Sequence, residues 1–140
     1  MSKGFAIGIT EELLDSMLGN SLTVPLAIPT VYIGLSTTTP DAGGGNFTEP
    51  VGNGYARVAV TNDATQWPAA TAGVKSNGAD IDFPAASGPW GTVTHLGIFV
   101  AASGGSPAAW SDLDTPQSPD TPDPPLQLAI NALDVKISNQ

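Results

Sequence analysis

Apolar and polar positions alternate along most of this chain, and a period of two predicts strands. In Ala79-Asp80-Ile81-Asp82-Phe83 the alternation is strict, so Ile81 and Phe83 point inward and Asp80 and Asp82 face water. Tyr55–Thr61 alternates as well. Tyr55, Arg57, Ala59 and Thr61 share one face; Ala56, Val58 and Val60 share the other. Val31–Ser36 is β-branched and aromatic and is entered through Pro29. Val93–Val100 reads as the central strand, with Gly97 inside it. A short strand is expected over Pro107–Trp110. Leu126–Ile130 and Leu133–Ile137 alternate again, and a terminal hairpin or one long strand satisfies both.

One segment has helical spacing. Thr10 is placed to cap it, and Glu11 and Glu12 put negative charge in the first turn. Leu13, Leu14, Met17 and Leu18 form one apolar face, and Gly19-Asn20 supplies the stop. A helix of about ten residues is unstable alone, so it is expected to dock on the sheet or on a neighbouring subunit. The rest is loop. Residues 37–50 carry Gly43-Gly44-Gly45 at their tip. Residues 111–125 hold five prolines and four aspartates, which predicts an extended surface loop.

Composition sharpens this picture. The chain has 140 residues, 41% of them hydrophobic, which suits one domain over residues 1–140. Within it, residues 1–20 form an arm and helix, and residues 111–125 the Pro/Asp-rich loop. Charged residues make up 12%, half the usual share of roughly 25%. With 16 glycines and 13 prolines, the mix favours a mainly β protein, an antiparallel β-sandwich or a barrel and not a helical bundle, with one short N-terminal helix.

Charge and cysteine count exclude several function classes. Thirteen acids face only Lys3, Arg57, Lys75 and Lys136, for a net charge of −9. That balance repels phosphate backbones and anionic membranes, so neither nucleic acid nor membrane is expected as a partner. There is no cysteine, hence no disulfide framework and no thiolate metal site. No segment approaches the ~20 apolar residues of a membrane span. Residues 1–9 lack the apolar run and cleavage site of a secretory signal.

Candidate chemistry is sparse. His95, the single histidine, is a possible base or ligand, but a triad also needs a nucleophile and an orienting carboxylate. The sequence does not say whether Thr92, Thr94 or a distant Asp comes close. A histidine hydrogen-bonded beside the core is the expected state. Asp112, Asp114, Asp120 and Asp123 lack the glycine and terminal glutamate of a calcium loop and read as solvated. Gly43-Gly44-Gly45 and Gly52-Asn53-Gly54 read as turns, since neither carries a phosphate-loop Lys-Ser/Thr. Trp67, Trp90 and Trp110 offer faces for sugars, but a core edge or subunit interface is the commoner fate. No catalytic residue, cofactor or metal is expected. Arg57, Tyr55, Trp90 and Trp110 are the expected interface residues; Arg57 is either an anchor there or an exposed strand arginine.

The order of segments resembles that of small virion proteins of tailed bacteriophages, described variously as head decoration (cement), head fibre or minor tail proteins. The similarity runs from Thr10 to Ile137. It includes Glu12-Leu13-Leu14-Asp15, the strand and turn from Val31 to Pro40, and Glu49 to Val60. Its most specific blocks are Ser76 to Ala86 and Trp90 to Phe99. The resemblance implies a non-enzymatic structural protein, a β-sandwich of jelly-roll type and a homotrimer. The expected function is capsid decoration: binding the major capsid protein on the outer surface of the head, after assembly in the host cytoplasm. The alternative is a tail, baseplate or fibre component that contacts the host surface.

Overall fold

The computed structural model describes residues 4–5, 11, 14–15, 18–19 and 28–136. Nine strands lie among them: β1 (Gly4–Phe5), β2 (Thr30–Ser36), β3 (Val58–Thr61), β4 (Val74–Ser76), β5 (Ile81–Asp82), β6 (Val93–Phe99), β7 (Ala109–Gln117), β8 (Gln127–Leu128) and β9 (Asp134–Lys136). The protein is mainly β and antiparallel. Five strands form one sheet in the order β1-β7-β6-β2-β3. The expected central strand, β6, is indeed the middle one. β4 pairs with β9, and β5 pairs with β8.

The core follows from the period of two. Val31, Ile33 and Leu35 of β2 share a face with Val60 of β3 and Leu96 of β6, and all are buried. Trp67, Ile81, Phe83, Trp90, Val93 and Leu133 complete the same cluster. Each fully buried Ile, Leu or Val stabilises the fold by about 1.5–3 kcal/mol. Asp80 and Asp82 are exposed while Ile81 and Phe83 are buried, as the alternation requires. Asn77 is fully buried and ties the two ribbons together. Its amide donates to the carbonyls of Ala79 and Ala129 at 2.8 and 2.9 Å, and its oxygen accepts from Leu133 N–H at 2.9 Å.

Four expectations need correction or qualification. The C-terminal alternating runs do not form a hairpin or a single strand: β8 and β9 pair with β5 and β4, not with each other. Residues 111–125 are not loop throughout, because β7 continues to Gln117. Its register on β6 jumps from Val93↔Gln117 to His95↔Asp112, so residues 113–116 bulge opposite Thr94. Pro116 sits in that bulge, where no ladder donor is needed, and among the described residues β1 pairs only with Trp110 and Ala109, which leaves the rest of that edge open. Proline and aspartate are tolerated on such an open edge. A jelly roll needs eight strands in two packed sheets; the described strands pair as one five-stranded sheet and two ribbons. The N-terminal arm and the helix expected over Thr10–Leu18 lie largely outside the described residues: Glu11, Leu14, Asp15 and Leu18 have helical backbone, but no complete helix is among the described elements.

Candidate functional site: an arginine clasp beside a threonine-lined groove

Two glycines make room for the first feature. Gly34 of β2 and Gly97 of β6 are cross-strand partners. A Cβ on Gly34 would lie 2.9 Å from Phe99 Cε2 and 3.0 Å from Glu49 Oε1. One on Gly97 would lie 2.7 Å from Phe47 Cε2. The paired glycines therefore leave a notch that these side chains fill. Phe47 meets Phe99 edge-on, with centroids 5.1 Å apart.

Arg57 closes the notch. Its guanidinium carbon sits 3.4 Å from the Phe99 centroid. Nε and Nη2 grip the two oxygens of Glu49 at 2.9 and 2.8 Å, a bidentate fork. Nη1 donates to the carbonyls of Ala101 and Gly104 at 2.8 and 3.0 Å, which anchors the turn after β6. The Arg57 side chain is only 3% exposed. It is neither an exposed strand arginine nor open to solvent; its guanidinium is spent on the chain's own loops.

Tyr55 and Trp90 extend the clasp. The Tyr55 hydroxyl donates to Glu49 Oε1 at 2.8 Å and accepts from Leu35 N–H at 2.9 Å. That amide lies beyond the last β2–β3 pair, Ile33↔Val58, so the phenol stands in for a missing strand. Burial raises the Glu49 carboxyl, but the bonds from Arg57 and Tyr55 outweigh it and hold the group below its ordinary 4.5. Burial foremost, with the Glu49 carboxylate adding, pushes the Tyr55 phenol far above its ordinary 10. Tyr55 meets Trp90 edge-on at 5.2 Å. Trp90 Nε1 donates to the Asn53 carbonyl at 2.8 Å, inside a turn where Gly52, Asn53 and Gly54 all have positive φ.

The second feature is a groove of about 560 Å³, open to solvent. Thr37, Thr38, Thr39 and Asn46 form one wall, Thr94, His95 and Asp112 the sheet side, and Leu113 and Pro116 an apolar flank. Thr38 is held in place by Oγ1 donating to the Asn46 carbonyl at 2.5 Å. His95 is 1% exposed, with Nδ1 2.8 Å from Thr94 Oγ1. Burial pushes its pKa below the ordinary 6.5, and the Asp112 carboxylate opposes this more weakly. Among the described residues, His95 Nε2 and Asp112 Oδ1 are both buried and find no hydrogen-bond partner.

Of the four expected interface residues, Tyr55, Arg57 and Trp90 come together in the clasp. Trp110 lies apart, 5.9 Å from the His95 ring. Trp67, Trp90 and Trp110 are buried at 7%, 4% and 4% exposure and so present no face for a sugar to stack on. Thr94 and Asp112 do approach His95, but a triad requires the carboxylate to bond the ring N–H opposite the nucleophile. That bond is not made here. Among the described residues, no group of three His, Cys, Asp or Glu could hold a metal ion. Glu49 and Phe99 were not legible as partners of Arg57, nor Phe47 as a partner of Phe99; the only signal was a glycine inside each of two strands.

A search of the curated proteins gives no match. The family model described as podophage GP4 fiber I protein gp80 matches residues 6–136, which spans nearly the whole chain. The clasp, the groove and all but one of the described strands fall inside that match, and on its extent the chain belongs to this family of phage virion structural proteins.

Proposed function

We propose that the protein is a structural module of a virion fibre, acting through fixed contacts and not through turnover. The observation that carries this reading is the fibre-family match over residues 6–136. The clasp supports it. Arg57 spends four hydrogen bonds on fixing Glu49 and the turn after β6, and so shapes loops that a neighbour or host surface can meet. Such preorganisation lowers the entropic cost of a contact. In a fibre, self-association as a homotrimer would repeat each weak contact by symmetry.

The second reading is decoration of the outer capsid surface, bound to the major capsid protein. The acidic, charge-poor, cysteine-free composition joined to the order of segments supports it, while the fibre family favours the first. Copy number separates them. Quantitative mass spectrometry of purified particles, with gold-labelled antibody in electron micrographs, should find few copies clustered at one place. Many copies lying flat on the head shell, with no label on any projecting fibre, would overturn the fibre reading in favour of decoration.

A further inference from the structure

The groove between the Thr37–Asn46 loop and strands β6 and β7 has a chemistry that the clasp does not use. We propose that it binds a neutral saccharide, whose hydroxyls bond the threonine-rich rim and complete the unpaired His95–Asp112 floor. This goes beyond the fibre reading and does not depend on where the chain sits in the virion.

Three observations carry it. First, buried polar atoms normally have partners, and orphans on residues that line a groove can take one from a molecule bound there. His95 Nε2 and Asp112 Oδ1 are such orphans, on residues directly opposed across β6 and β7. Ionised Asp112 accepts only, while a neutral imidazole nitrogen donates or accepts according to its tautomer. A hydroxyl can play both parts. Second, the wall is rich in neutral hydrogen-bonding groups: Thr38, Thr39, Asn46 and Thr94 surround the floor, and Asp112 is the one carboxylate. Third, a volume of about 560 Å³ falls within the size range of small-ligand sites.

The same features argue against other ligands. With a net charge of −9 and a carboxylate in the floor, an anion is repelled. A long apolar ligand would meet a wall made mostly of polar residues, with only Leu113 and Pro116 to match it. Leu113 and Pro116 give one apolar flank, enough to cover the C–H face of a single sugar ring.

The test is an NMR titration of the full-length, ¹⁵N-labelled protein with glucose, galactose and N-acetylglucosamine, and with methylamine and inorganic phosphate as charged probes. At least one sugar should shift the amides of Thr38, Thr39, Thr94 and Leu113, and the His95 ring nitrogen signal should move with them. Asp112→Asn and Thr39→Val should each weaken binding by about tenfold, with their unbound spectra still those of a folded chain. No saturable shift with any of the sugars overturns the proposal. So does binding that both variants leave unchanged, or a response to methylamine or phosphate alone. None of these outcomes bears on copy number or position in the particle, so this proposal and the fibre reading fail separately.

Discussion

Arg57 lies over the ring of Phe99, its guanidinium carbon 3.4 Å from the centroid, although Arg57 immediately precedes β3 and Phe99 ends β6, two strands separated by β2. The contact is possible because the intervening strand carries Gly34 at that point. A side chain there would occupy the space that Phe99 and Glu49 share. Arg57→Ala should therefore remove more than a charge. It strands the partly buried Glu49 carboxylate and frees the carbonyls of Ala101 and Gly104. The expected loss is about 3 kcal/mol, read as a fall in Tm of about 6–12 °C for a chain of this size. Arg57→Lys should recover little, since an ammonium cannot form the two-point fork. A melting temperature within a degree of the parent for both variants would show that the clasp contributes nothing.

Glutamate 49 should make stability depend on acid. Its carboxyl is held below 4.5 in the folded chain. The unfolded state therefore binds a proton first, and the stabilisation is fully present above the unfolded value. It is lost as pH falls through the folded value. Chemical denaturation between pH 6 and pH 2.5 should show this decline, and Glu49→Gln should flatten it. An equally steep acid limb in the variant would assign the effect to other carboxylates.

His95 acts in a different window with the same sign. Burial holds its pKa below 6.5, so the folded chain resists its protonation. Stability should be full above 6.5 and should fall as pH drops from there towards the folded value. The groups facing the ring are Thr94 at Nδ1, Trp110, and Asp112 on the opposing strand. The ring protons should titrate at lower pH than a free histidine, and His95→Gln should remove the decline just below 6.5. A ring that titrates above 6.5 would reverse the assigned balance between burial and Asp112.

The paired glycines give a steric prediction. Gly34→Ala and Gly97→Ala should each cost about 1–3 kcal/mol through forced movement of Phe99 and Phe47. Gly43→Ala is the control. A Cβ there meets only an Asp41 oxygen at 3.4 Å, and the change should stay within about 0.5 kcal/mol. Equal urea midpoints for all three would mean that the notch tolerates a methyl group.

The alternation of apolar residues by itself determined that this is a β protein, which strand lies at its centre, and which way Ile81, Phe83, Asp80 and Asp82 face, because a period of two is a local property of an extended backbone. Residue type, not alternation, singled out Tyr55, Arg57 and Trp90 as expected interface residues. What those residues do was decided only in three dimensions. Arg57 and Glu49 are eight residues apart and Arg57 and Gly104 forty-seven, and no local rule joins them. β8 and β9 found β5 and β4 because strand pairing is settled by which faces can be buried together, and neighbours in sequence have no privilege in that choice. The proline-rich segment became part of β7 for a related reason: its missing donors fall on a bulge and an open edge, a placement that composition cannot foresee. His95 and Asp112 were likewise known only as separate residues until the register of β6 on β7 set them opposite each other.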